Sequence, residues 1–215
     1  MSALVAEQAP IEELGEATRF ASTLSGLRAI REGSAELVIW DRPAPDYVSW
    51  LAALPEARLP RRRWQGETRH ASAAIEEACE ACGTPEGIGR DCFLLDVAAL
   101  ASTMAELGGT SEIEIRLDVT QGQPCPRWHR DAVPMRLLST LRGPGTEFGV
   151  GSQHEEPRDI RRLGCGAVGL LRGAKGAIAP LQLVHRSPPA IGRAPRLLLV
   201  IDPARDETGR EPTGS

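Results

Sequence analysis

The amino-acid sequence predicts an α+β fold. A mainly helical N-terminal region over residues 1–109 packs on an antiparallel jelly-roll barrel, cupin-like in form, over residues 110–203. Three observations carry that expectation. Before Gly109 the apolar residues recur at helical spacing. From Glu112 to Val119, EIEIRLDV, polar and apolar residues alternate strictly. Beyond that point short apolar runs are broken at close intervals by the turns GPG, RGAKG and SPPAIG. At 215 residues, 41% of them hydrophobic, the chain is long enough to build one domain around a full core.

Taken in order, Ile11, Leu14, Phe20, Leu24, Leu27 and Ile30 share one face of an expected amphipathic helix. Glu36 to Trp40, ELVIW, is a short β-prone run closed by Pro43 and Pro45. A second helix runs through Tyr47, Trp50, Leu51 and Leu54. Two more span 67–82 and 92–107, with Gly83 and Gly108 as end residues. The basic run Arg61, Arg62, Arg63 and Trp64, followed by His70, reads as a solvated loop. Strands are expected over 112–119, 135–141, 167–171, 178–184 and 196–201. GPGTEF, 143–148, lacks the lysine and following helix of a phosphate loop and reads as a turn, with Thr146 and Glu147 facing a pocket. Residues 204–215 are polar, without periodicity, and read as a disordered tail.

Composition narrows the function classes. A net charge of −4 gives no global field toward nucleic acid or anionic membrane, and no apolar run reaches membrane-spanning length. The first residues, MSALVAEQAP, have no basic start followed by an apolar stretch, so a cytoplasmic protein is expected. Five cysteines, an odd number, suit free thiols or metal ligands better than a disulfide framework. Lys175 is the only lysine, so a lone arginine carries little weight by itself.

The chemistry concentrates in CPRWHRDAVPMRLLSTLRGPGTEF, Cys125 to Phe148, and HRSPPAIGRAPRLLLVID, His185 to Asp202. His129 and Asp131 are two residues apart, so on an extended strand both side chains point to one face. His185, closing a later strand, supplies a third ligand. Two histidines and one carboxylate, with coordination positions left open, form the facial triad of non-haem Fe(II) oxygenases. Arg196, at the start of the last strand, could grip a carboxylate bidentately, as a 2-oxo acid such as 2-oxoglutarate would need. Arg136 is a second candidate for that task. Tyr47 is the only tyrosine, so Ser139 or Thr140 would supply the accompanying hydroxyl. Cys125, four residues before His129, could close the open position on zinc. CEAC, Cys79 to Cys82, has no second CxxC to complete a zinc site, and His154 lies in a polar loop.

The phrases HRDxxxxRLLSTLRGPGTEF, HRSPP and RLLLVID resemble the bacterial domain-of-unknown-function family 1826, closely in the C-terminal half and more loosely through VIWDRP, Val38 to Pro43. The resemblance implies a double-stranded β-helix core similar to that of 2-oxoglutarate-dependent oxygenases. It also implies an association with zinc homeostasis. GCGAVGLLRG, Gly164 to Gly173, departs from the oxygenase pattern by carrying Gly-Ala where such barrels often have Gly-Asp. The expectation is an Fe(II) oxygenase acting on a small molecule, with His129, Asp131 and His185 on the metal and Arg196, Arg136 and Thr140 on 2-oxoglutarate. The alternatives are a Zn(II)-binding protein that adds Cys125 to the same ligands, and a cupin-like module that binds without catalysis.

Overall fold

A computed structural model describes residues 15–189, 192 and 194–204. Its strands in chain order are β1 (Thr18–Ala21), β2 (Leu37–Trp40), β3 (Arg62–Glu67), β4 (Glu112–Thr120) and β5 (Met135–Arg142). They continue with β6 (Glu147–Val150), β7 (Arg158–Arg162), β8 (Val168–Arg172), β9 (Leu183–Arg186) and β10 (Arg196–Pro203). Three helices, α1 (Asp46–Ala53), α2 (Ala71–Ala81) and α3 (Ile88–Gly108), fall between β2 and β4. Seven strands form one sheet in the order β1-β2-β8-β5-β10-β4-β3, and three form a smaller sheet in the order β7-β6-β9. Among the described residues only β1 and β2 pair in parallel; the other pairings are antiparallel.

Alternation along the strands sorts these elements into layers, because successive side chains leave a strand on opposite faces. Ile113, Ile115 and Leu117 of β4, Leu137 and Leu141 of β5, and Leu197, Leu199 and Ile201 of β10 form one core with Val48 and Leu51 of α1, Ile75 of α2 and Phe93, Val97, Leu100 and Met104 of α3. A second core fills the space between the two sheets. It joins Leu37, Ile39, Leu138, Leu171 and Val200 of the large sheet to Phe148 and Leu183 of the small one. The helices thus cover one face of the large sheet, and the small sheet covers part of the other.

α3 supplies the longest apolar face. Phe93, Val97, Leu100 and Met104 recur at helical spacing, and Gly109, at φ 64, closes the helix in the left-handed conformation that glycine reaches without strain. α1 and α3 are locked together at their polar edges. Tyr47 donates its hydroxyl to Asp96 at 2.6 Å while Arg42 grips the same carboxylate with two bonds of 2.6 Å. Burial and the neighbouring Asp96 charge push the Tyr47 hydroxyl well above the usual tyrosine range.

The N-terminal half departs from the sequence reading. Residues 11–14 of the expected first helix lie outside the described residues, 18–21 form β1, and 24–31 form a 3-10 helix. The reason is visible in the spacing. Leu24, Leu27 and Ile30 are three apart, which fits three residues per turn, and the Thr23 side chain caps the turn by accepting the Gly26 N–H at 3.3 Å. Arg61–Trp64, read as a loop, lies largely in β3, which extends the sheet beside β4 and sets Arg62 against Glu77 at 3.1 Å and Arg63 against Glu114 at 3.1 Å. Both β1–β2 and β3 join the sheet whose centre comes from beyond residue 110. Of the strand expected over 178–184 only its end is formed, as the start of β9. The expected tail lies outside the described residues from 205 onward. No described helix is long and apolar enough to cross a membrane.

Candidate metal centre

The site is assembled by a backbone contact between distant segments. His129 forms an isolated antiparallel bridge with His185 of β9, and each donates its N–H to the other's carbonyl at 3.0 Å. His129 therefore sits on a bridge residue, not on a regular strand as the spacing suggested. Asp131 follows in a loop held from behind. The N–H groups of Gly173, Ala174 and Lys175 donate to the carbonyls of Pro134, Asp131 and Val133 at 2.9, 2.8 and 3.2 Å. A Cβ at Gly173 would lie 2.0 Å from the Val133 oxygen, so only glycine allows this approach. Between His129 and Asp131, Arg130 turns back and donates to the Leu183 carbonyl at 3.1 Å and the Gly151 carbonyl at 2.8 Å.

These contacts bring one donor atom from each of His129, Asp131 and His185 within 4.8 Å of one another. The two imidazole centroids are 4.4 Å apart, and Nε2 of His185 lies 3.1 Å from Oδ2 of Asp131. Two ligands about 2.1 Å from one metal, at right angles, are separated by about 3.0 Å. Nδ1 of His129 bonds the Arg127 carbonyl at 2.9 Å; a carbonyl only accepts, so this nitrogen carries the proton and Nε2 keeps the lone pair. Oδ2 of Asp131 is buried and makes no hydrogen bond among the described residues. An orphaned carboxylate oxygen facing the His185 imidazole is costly without a cation, and the residues fit a divalent metal.

The charges agree with this arrangement. Burial opposes ionisation of Asp131, but the neighbouring imidazoles of His129 and His185, together with the Arg136 guanidinium, hold its carboxyl well below the usual range. The Asp131 carboxylate in turn raises the pKa of His129, against burial.

A cavity of about 330 Å³ opens from the triad. Its floor is Leu138, Leu198 and Val200; Arg116, Asp118 and Thr120 of β4 line one wall; Cys125 and Ser187 lie with His129 and His185. Arg196 reaches into the same cavity and is buried, 4% exposed. It donates to the Pro144 carbonyl at 2.9 Å and to the hydroxyls of Thr140 and Thr146 at 3.1 and 3.0 Å, and it makes no ion pair among the described residues. Burial pushes its pKa down to about 10. Glu147, the residue after Thr146, is taken by Arg162 at 2.6 Å and Arg186 at 2.9 Å.

The remaining sequence candidates are placed as follows. Arg136, read as a co-substrate ligand, lines the cavity but is already matched twice, by Asp131 at 2.6 Å and by both oxygens of Asp202 at 2.8 and 2.6 Å. Cys125 lines the cavity without entering the group of atoms that surround the candidate metal position. Ser139 points to the helix side, buried with its hydroxyl unpaired, so Thr140 is the hydroxyl beside Arg196. Tyr47 is remote, bound to Asp96. Sequence reading missed Asp202 and Arg116 as cavity-side charges. For Arg116 the signal was present in the alternation of β4, where every second residue is polar; β10 is apolar between Arg196 and Asp202 and gave no such signal.

Three comparisons bear on this geometry. The profile of a family described as "Protein of unknown function (DUF1826)" matches residues 21–202. No curated protein matches the chain. Among solved structures, dioxygenase for auxin oxidation 1 from Arabidopsis thaliana, determined with 2-oxoglutarate, aligns at a TM-score of 0.51 and 12% identity over 89% of this chain and 93% of that one. The dioxygenase for auxin oxidation in rice gives 0.49 and 12% over 89% and 83%. A prolyl-4-hydroxylase from Pseudomonas putida gives 0.38 and 14% over 78% and 98%. The likeness to the Arabidopsis structure is one of fold, helices and strands around a sheet-rich core.

Proposed function

The chain belongs to the DUF1826 family, and from that premise we propose that it is a non-haem Fe(II)-dependent oxygenase that uses 2-oxoglutarate and acts on a small molecule. The two facing sheets then correspond to the halves of a double-stranded β-helix, with the helical region packed on its outer face. The observation that carries the proposal is Arg196: a buried guanidinium that makes no ion pair among the described residues, opening into the same cavity as two histidines and an aspartate. An arginine held that way is stabilised by an anionic ligand. Thr140 and Thr146 fix its orientation, and the cavity volume is that of a small-molecule site.

His129, Asp131 and His185 would hold Fe(II), which when bound supplies the redox chemistry of O2 activation in this site. Arg196 would receive one carboxylate of the acid and aim its other end along the cavity toward the triad. Leu138, Leu198 and Val200 limit water beside the reacting groups. The fold likeness to an Arabidopsis protein crystallised with 2-oxoglutarate supports this reading.

Titrating 2-oxoglutarate into the anaerobic Fe(II) protein tests it. A visible metal-to-ligand charge-transfer band is expected, and Arg196→Met should lower the apparent affinity for 2-oxoglutarate by about 10- to 100-fold, the range for losing charge-assisted hydrogen bonds, while iron is retained. Absence of the band and of binding in the wild-type protein would overturn the proposal. A second reading, Zn(II) with Cys125 as a fourth ligand, rests on the place of Cys125 in the same cavity. Zinc found at one equivalent with no response to 2-oxoglutarate would favour it.

A further inference from the structure

Behind the triad runs a line of alternating charge. Nη1 of Arg136 donates to Oδ1 of Asp131 at 2.6 Å; its Nε and Nη2 donate to the two oxygens of Asp202 at 2.8 and 2.6 Å. Nη2 of Arg116 lies 3.5 Å from Asp202 Oδ2, and its Nε lies 3.4 Å from Glu114. The side chains of Arg136, Asp131 and Asp202 are 17%, 9% and 9% exposed, so solvent screens these contacts little.

Three neighbouring strands supply the line, and their register explains why the groups meet. Arg136 is on β5, Asp202 on the adjacent β10, and Arg116 and Glu114 on β4 beyond it, with Asp202 opposite Glu114. All four side chains leave on the face away from the helices, since the residues between them, Ile115, Leu137 and Ile201, belong to the helix-side core. A bidentate arginine–carboxylate pair fixes the guanidinium plane, so Asp202 determines where Arg136 aims its remaining nitrogen.

The consequence falls on Asp131. Its Oδ1, 3.7 Å from His129 Nε2, is bonded by Arg136, whereas its Oδ2 is buried, makes no hydrogen bond among the described residues and lies 3.1 Å from His185 Nε2. We infer that Arg136, clamped by Asp202, is the positioning residue of the metal centre: by holding Oδ1 it fixes the Asp131 carboxylate so that Oδ2 is the oxygen left free for a metal. This inference rests on the metal-site reading proposed above. It also reassigns Arg136, whose guanidinium has no nitrogen directed at a co-substrate once both carboxylates are satisfied. A carboxylate released from that clamp can rotate or bind through both oxygens, and partners of this kind typically change metal affinity by about 10- to 100-fold.

The test uses the full chain, stripped with chelator and titrated with Mn(II) and Co(II) in place of iron. Arg136→Gln and Asp202→Asn are each expected to weaken Mn(II) binding by about 10- to 100-fold and about 3- to 30-fold. Arg136→Lys, which keeps the charge but loses the fork, should recover only part of the loss. In the Arg136→Gln background, Asp202→Asn should cost nothing further, because it acts through the arginine. The Co(II) absorption spectrum should change in the Arg136→Gln protein, a response that a purely structural role would not produce. Circular dichroism identifies any variant that fails to fold, and the Arg136→Lys and Asp202→Asn titrations then carry the decision. If wild-type protein binds neither Mn(II) nor Co(II), the metal reading itself fails. If wild type binds and the variants bind equally with an unchanged spectrum, or if the two losses simply add, the clamp is refuted while the metal site stands.

Discussion

The two faces of the large sheet are built from the same strands and have opposite characters. On β10, Leu197, Leu199 and Ile201 meet the helices, whereas Arg196, Leu198, Val200 and Asp202 face the other way, three of them lining the cavity and Asp202 holding Arg136. On β4, Ile113, Ile115 and Leu117 are buried under the helices, and Arg116, Asp118 and Thr120 form a cavity wall. Alternating polarity is usually taken to mean one face in the core and one in water. Here the polar face is enclosed by the small sheet and the segment around His129, and its charges are matched in pairs or aimed into the cavity. A polar stripe therefore marks either solvent or a site, and unmatched charge decides between them.

If one face carries stability and the other carries chemistry, substitutions should separate cleanly. The largest effect is expected at the ligands: His129→Ala or His185→Ala should abolish stoichiometric metal binding, read by elemental analysis, with the fold retained by circular dichroism. Metal content equal to wild type in either variant would remove that residue from the ligand set. On the helix side, Leu199→Ala, fully buried, should cost about 2–5 kcal/mol in urea unfolding and leave metal affinity unchanged. Leu198→Ala, on the cavity side and only partly buried, should cost less than half as much; equal costs would break the contrast between the faces.

A smaller effect concerns protons. The Asp131 carboxylate, the largest influence on His129, raises its pKa, against burial. A group with a raised folded-state pKa contributes stability in full below its unfolded value and loses it as pH rises through the folded value. Metal-free protein should therefore become slightly less stable as pH increases from about 5 to 8, and His129→Ala should flatten that slope. With metal present the trend should reverse, since metal and proton compete for Nε2. The smallest effect is expected for Cys125→Ser, with iron affinity unchanged; a sharp fall in zinc affinity would instead bring the sulfur into the metal site.

The sequence was readable where a single periodicity held. The alternation of β4, the apolar runs of β5, β8 and β10 and the helical faces of α1, α2 and α3 are seen in the structure close to where their patterns lie. The strands β6 and β7, reading EFGV and RDIRR, were not legible because pairing and the ion pairs of Glu147 hold them, not an apolar stripe. His129, Asp131 and His185 could be singled out by residue type and spacing alone. Asp202 could not, since at the end of RLLLVID it looks like a strand terminus, and only the β5–β10 register sets it against Arg136.

The paired backbone hydrogen bonds between His129 and His185 have a consequence for how metal and chain depend on each other. They join residues 56 positions apart through the backbone, so the loop-closure entropy of bringing the two histidines together is already spent before any ion arrives. A small zinc domain folds around its ion and collapses when a chelator removes it. This chain should behave in the opposite way, with a chelator emptying the site while the cores on both sides of the sheet remain intact, and with ions exchanging in and out of a standing frame. Which metal the protein carries would then follow the supply at the time of loading as much as the ligands themselves.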